Sequence, residues 1–124
     1  MPTVGYNKYI KEVVQMKLIV AIIQDEDAGR LISALMNEGF GVTKLATTGG
    51  FLRAGNTTLI VGVDVNKLPE AMAIIEKICK SRKQIATSPS SVSGDTGMYM
   101  PYPIEVVVGG ATIFVLDVEQ FKKL

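Results

Sequence analysis

Hydrophobic and polar positions fall into blocks whose spacing predicts the elements. "KLIVAIIQ" (17–24) is apolar and β-branched and predicts a buried strand. In "DEDAGRLISALMNEG" (25–39), Ala28, Leu31, Ile32, Leu35 and Met36 recur at i, i+3, i+4, which predicts a helix. Asp25 is expected to cap it, Glu26 and Asp27 suit its positive end, and Gly39 is a C-terminal stop. "FGVTKLATT" (40–48) alternates and predicts a second strand, and "TTLIVGVDV" (57–65) a third. "NKLPEAMAIIEKICKSR" (66–82) predicts a second helix with Asn66 as cap and Pro69 in the first turn, where its missing N–H is harmless. Leu68, Met72, Ile75 and Cys79 line its inward face. Residues 83–103 are dense in Ser, Gly and Pro and predict a long loop. "IEVVVGGATIFVLDV" (104–118) predicts two strands in a hairpin turned by Gly109 and Gly110, and "EQFKKL" a closing helical turn.

The order is βαββαβ with a C-terminal hairpin strand, which predicts an α+β, ferredoxin-like sandwich: an antiparallel sheet with both helices on one face. Two helices cover only one face of such a sheet. The strands are nevertheless apolar on both faces, as Ile19 with Val20 and Ile60 with Val61 show. Alternation should be cleaner if the second face met water. The expectation is burial of that face by self-association.

Composition narrows the chemistry. A chain of 124 residues with 48% apolar and 20% charged residues fits one globular domain. A net charge of +1 gives no long-range attraction for nucleic acid or an acidic membrane surface, so neither is expected as a partner. No apolar run is long enough to span a bilayer and no signal-peptide pattern opens the chain, so the expected location is cytoplasmic. The single cysteine, Cys79, cannot form an internal disulfide and reads as a small core residue. With no His, there is no Ser-His-Asp or Cys-His pair and no His-based metal site. The Asp25–Asp27 cluster reads as helix-end charge rather than a metal site, and no metal or cofactor is expected.

Residues 1–15 stand apart as an extension with weak helical spacing at Tyr6, Tyr9, Ile10 and Val13. Lys11-Glu12-Val13 can be encoded by codons that contain a ribosome-binding sequence just before Met16. The expectation is that Met16 is the biological start and that the domain covers residues 16–124. The competing reading is a short amphipathic helix packed on the domain.

The chemistry concentrates in "ATTGGFLRAGNTT" (46–58). Gly49, Gly50 and Gly55 let the backbone bend and approach a ligand, and successive amides there can cradle a phosphate. Asn56 offers a donor and an acceptor together, as an adenine edge requires. Phe51 and Leu52 offer an apolar platform for a base. An ordinary hairpin accounts for the same residues, since neither a Walker pattern nor a G-x-G-x-x-G accompanies them.

"VTKLATTGGFLRAGNTT" (42–58) and "YMPYPIEVVVGGATIFV" (99–115) resemble the cyclic di-AMP receptors among the PII-like signal transduction proteins, of the PstA/DarA type. The resemblance covers residues 16–124. It implies a homotrimer of ferredoxin-like subunits with identical ligand clefts between neighbours, and a second sheet face lining the trimer centre. It also implies a short loop after the second strand and a long one after the second helix. By the same resemblance, Thr43 and Asn56 hydrogen-bond an adenine, Phe51 and Leu52 lie against the bases, and the Gly62 backbone adjoins the ligand. Phe114 comes from the adjoining part of the cleft, and Gly49 and Gly50 shape the loop near the phosphates. Gly41, Val42 and Lys123 complete the candidate set. Relatives often carry Arg where this chain has Gly41, and Gln-Phe where it ends Lys123-Leu124. One charge-assisted contact of that kind is worth roughly 1.5–3 kcal/mol.

The leading expectation is therefore a non-catalytic receptor that binds cyclic di-AMP and signals to a downstream protein the sequence does not name. The alternatives are a PII-like sensor of ATP or ADP, for which only Lys80, Arg82 and Lys83 supply a basic cluster, an acylphosphatase-type enzyme using Arg53 and Asn56, and a structural trimer module.

Overall fold

The computed structural model describes residues 15–45, 55–88 and 102–124. The elements run β1 (Met16–Gln24), α1 (Asp25–Asn37), β2 (Val42–Leu45), β3 (Asn56–Asp64), a 3-10 turn (Val65–Lys67), α2 (Leu68–Cys79), β4 (Arg82–Ser88), β5 (Tyr102–Val108) and β6 (Ala111–Asp117). Four strands form an antiparallel sheet in the order β2-β3-β1-β6, and β4 pairs with β5 in a separate two-stranded arm. With β6 as its fourth strand, the main sheet has the ferredoxin-like arrangement expected from the sequence.

The core lies between the sheet and the two helices. Alternate residues of β1 (Ile19, Ala21, Ile23) and β3 (Leu59, Val61, Val63) are buried there against Leu31 and Leu35 of α1 and Ala71, Ile75 and Cys79 of α2. Of the helical stripes read from the sequence, Ala28, Leu31, Leu35, Ile75 and Cys79 are buried and Ile32, Leu68 and Met72 half-buried, while Met36, at the end of α1, is 58% exposed and Ala71 joins the core unforeseen. Gly39 ends α1 at φ +90°, with its N–H on the Met36 carbonyl at 2.9 Å and the Phe40 N–H on the Leu35 carbonyl at 3.0 Å. That paired bonding is a Schellman cap, and Phe40 and Leu35 add its apolar contact in the core.

Neither expected N-cap forms. Gln24 and Lys67 occupy the cap positions, without side-chain cap bonds. Asp25 instead accepts a hydrogen bond from the Thr57 hydroxyl on β3, and Asn66 lies inside the 3-10 turn. A tertiary partner outcompetes the local cap at Asp25. The closing helical turn expected at residues 119–124 does not form; so short a segment does not repay helix nucleation.

The second half of the chain departs furthest from expectation. Residues 83–88 continue β4, and β5 pairs with β4 in the register Arg82↔Val108 to Ser88↔Tyr102. The strand β6 pairs with β1, so Gly109 and Gly110 do not turn a hairpin between β5 and β6. They carry the chain from the arm into the main sheet, at φ +86° and +96°. A Cβ on Gly109 would lie 2.6 Å from both Arg82 Nη1 and the Lys80 carbonyl oxygen, so only glycine fits.

Candidate functional site

Strand register decides which candidate residues share a face. Thr43 is paired with Ile60, Ile60 with Val20, and Val20 with Phe114. These four form one row across the sheet, on the face away from the helices. Asn56 and Gly62 lie on the same face of β3 by the two-residue alternation of a strand. The sheet therefore gathers Thr43, Asn56, Gly62 and Phe114 on its helix-free face.

It does not gather them at one point. Thr43 and Phe114 are on the two edge strands, three strand spacings or about 14 Å apart. Asn56 lies four residues along β3 from the Thr43 row, about 13 Å, and Gly62 about 20 Å from Asn56. Val42 pairs with Val61 and so takes the helix face, and Gly41 precedes it with no described residue within 4 Å of where a Cβ would stand. Lys123 is exposed beyond β6. Gly49, Gly50, Phe51 and Leu52 lie outside the described residues.

The open face is markedly apolar. Leu18, Val20, Ile22 and Ile60 are half-buried in its centre, while Phe114 on β6 is 54% exposed and Leu116 47%. At one end of this face, where β1 ends and β3 begins, a groove of about 280 Å³ is lined by Ile22, Gln24, Asn56, Gly109, Gly110 and Thr112, with Ile23 and Ala111. Gln24 is the direct cross-strand partner of Asn56. Its Oε1 accepts the Gly109 N–H at 2.7 Å. The groove thus offers two adjacent amide side chains, a threonine hydroxyl and glycine backbone. These suit hydrogen-bond recognition of a planar polar ligand more than proton-transfer chemistry.

A charged cluster sits beside the groove. Asp27, with its side chain fully buried, accepts hydrogen bonds from Arg82 Nη2 at 2.8 Å and from Arg30 Nη2 at 2.8 Å. The Arg82 hydrogen bond is the largest influence holding the Asp27 carboxyl below the usual carboxylate range, against the opposing effect of burial. Asp27 likewise raises the Arg82 guanidinium. Arg82 is thereby committed to α1, and this weakens the basic cluster that a triphosphate site would draw on. Cys79 is buried, and desolvation pushes its thiol up to about 11, so it is a core residue and not a nucleophile.

Sequence reasoning missed Gln24, Asp27 and Arg82 as a set. The available signals were a Gln closing an apolar strand and an Arg just past a helix end; neither names its partner, because both pairings are long-range.

Comparison with known proteins gives a family and a fold. The family model described as the cyclic-di-AMP receptor matches residues 16–124. A functionally unknown protein from Pediococcus pentosaceus is similar in structure at 39% identity and a TM-score of 0.72, over 90% of this chain and 100% of that one. The PII protein of Arabidopsis thaliana, solved with citrate bound, is similar at 18% identity and a TM-score of 0.52, over 86% of this chain and 77% of that one. The latter likeness is one of fold.

Proposed function

The chain belongs to the cyclic-di-AMP receptor family, and from that premise we propose that it is a cytoplasmic signalling receptor that binds cyclic di-AMP in clefts between the subunits of a homotrimer. It works by binding and release, with no chemical step and no cofactor. The observation that carries this reading is the family match across residues 16–124.

The geometry supports a cleft shared by two copies. Phe114 stands about 14 Å across the sheet from Thr43, too far for both to touch one adenine within a chain. A neighbour's Phe114 brought beside Thr43 removes that conflict, and the apolar open face supplies the surface for the association. In this arrangement Asn56 and Thr43 bond the bases, Phe51 and Leu52 stack on them, Gly49 and Gly50 approach the phosphates, and the Gly62 backbone flanks the ligand. Ligand binding switches loop conformation and so alters the surface that a downstream protein reads.

Calorimetric titration with cyclic di-AMP, cyclic di-GMP and ATP tests this. Cyclic di-AMP should bind alone or far more tightly, and ATP binding without cyclic di-AMP binding would overturn the proposal. Asn56→Ala should weaken binding at least tenfold, the scale of one lost bidentate contact of about 1–3 kcal/mol, and leave the assembly intact. Unchanged affinity would remove Asn56 from the site.

A further inference from the structure

The glycine pair that joins the arm to the main sheet is held from two sides. Gly110 donates its N–H to the Cys79 carbonyl at the end of α2, at 2.5 Å, and Gly109 donates to Gln24 Oε1 at 2.7 Å. Arg82, the first residue of β4, closes over Gly109 while bound to buried Asp27. Of these holds, only Gln24 also lines the groove, and there it lies directly opposite Asn56 on the neighbouring strand. One side chain therefore touches both the groove and the root of the β4–β5 arm. The arm's other holds named above, the Arg82–Asp27 pair and the Gly110 bond, lie at this same end of it. A lone two-stranded ribbon is marginal in water, and its Ile85 and Val107 are each 66% exposed.

We infer that Gln24 is a positioning residue that couples the state of the Asn56 groove to the β4–β5 arm through its bond to the Gly109 amide. An amide suits the role: its oxygen is held by the Gly109 N–H, which leaves its NH2 group as a donor for a ligand in the groove. A group bonding that NH2 shifts the amide as a unit, and Gly109 moves with it. The receptor reading enters only in identifying the ligand; the coupling is a property of the free chain.

The test is amide hydrogen exchange at Gly109 and along β4 and β5 in the free protein. Gln24→Met, which keeps the bulk but loses the acceptor, should speed exchange there about tenfold. Gln24→Glu, which restores an acceptor for the Gly109 N–H, should return it to within about twofold of the parent. Asn56→Leu, which fills the groove, should perturb arm exchange in the parent and have no further effect on top of Gln24→Met. Equal exchange in Gln24→Met and parent, or additive effects of the two substitutions, would overturn the coupling. Adding saturating cyclic di-AMP to the parent should change arm exchange as well. If calorimetry shows that the parent binds none, the receptor reading falls while the double-substitution comparison still decides the coupling.

Discussion

The two faces of the main sheet are built from alternate residues of the same strands, yet they end in different states. On the helix face, Ile19, Ala21, Ile23, Leu59, Val61 and Val63 are closed off within the chain. On the other face, Leu18, Val20, Ile22 and Ile60 are half-buried and Phe114 and Leu116 stand largely in solvent. Both faces are apolar, but among the described residues only one has its covering layer in the same chain. The first face specifies the fold; the second carries the candidate residues and is completed, in the proposed trimer, by other copies.

Core truncation should break this contrast most sharply. Leu31→Ala, on the fully buried stripe of α1, should cost about 2–5 kcal/mol in denaturant unfolding. Leu116→Ala on the open face should cost well under that per chain at low protein concentration, and should instead weaken self-association in sedimentation. Equal losses from both would mean that the open face is as much a part of the single-chain core as the helix face.

Asp27 comes next. Asp27→Asn removes the charge that Arg82 and Arg30 bond; both guanidiniums keep access to water, so the cost should be about 1–3 kcal/mol. Because the folded carboxyl lies below its ordinary value, its contribution is fully present above the unfolded pKa of about 3.9 and is lost as pH falls through the lower folded value. Stability of the parent should therefore drop as pH falls below about 4, and unfolding curves of Asp27→Asn should show a shallower drop. At the junction, Gly109→Ala must hold φ +86°, at about 1–2 kcal/mol, and in addition push against Arg82 and the Lys80 carbonyl, with arm exchange raised. The smallest change in stability belongs to Gly41→Arg, where a Cβ meets no described residue within 4 Å. Its effect should fall on the ligand instead, tightening cyclic di-AMP by about tenfold through one charge-assisted contact.

Much of the helix face is legible in the sequence, because its signals are local and repeated. The α1 and α2 stripes recur every three or four residues, Gly39 marks a left-handed stop, and β1 and β3 are dense in β-branched residues. The arm is not legible. Residues 83–88 abut a Ser- and Gly-rich stretch and find their partner strand at residues 102–108, a pairing no local pattern announces. The Gly109-Gly110 dipeptide is an equally good signal for a hairpin and for the sheet-to-arm passage that is observed, since both need positive φ. Asp25 failed as a cap because Thr57, far along the chain, offers it a better partner. Of the candidate site, the alternation rule and register bring Thr43, Asn56, Gly62 and Phe114 to one face, and Val42 to the other. Gln24 reads only as the end of a strand until its neighbours in space are known.

Sedimentation velocity of the protein with cyclic di-AMP, following the nucleotide by its own absorbance, tests the shared-cleft receptor most directly. The nucleotide should travel with a species of three chains and saturate at about one ligand per chain. Nucleotide left behind at the meniscus, or carried by a single chain, would contradict it.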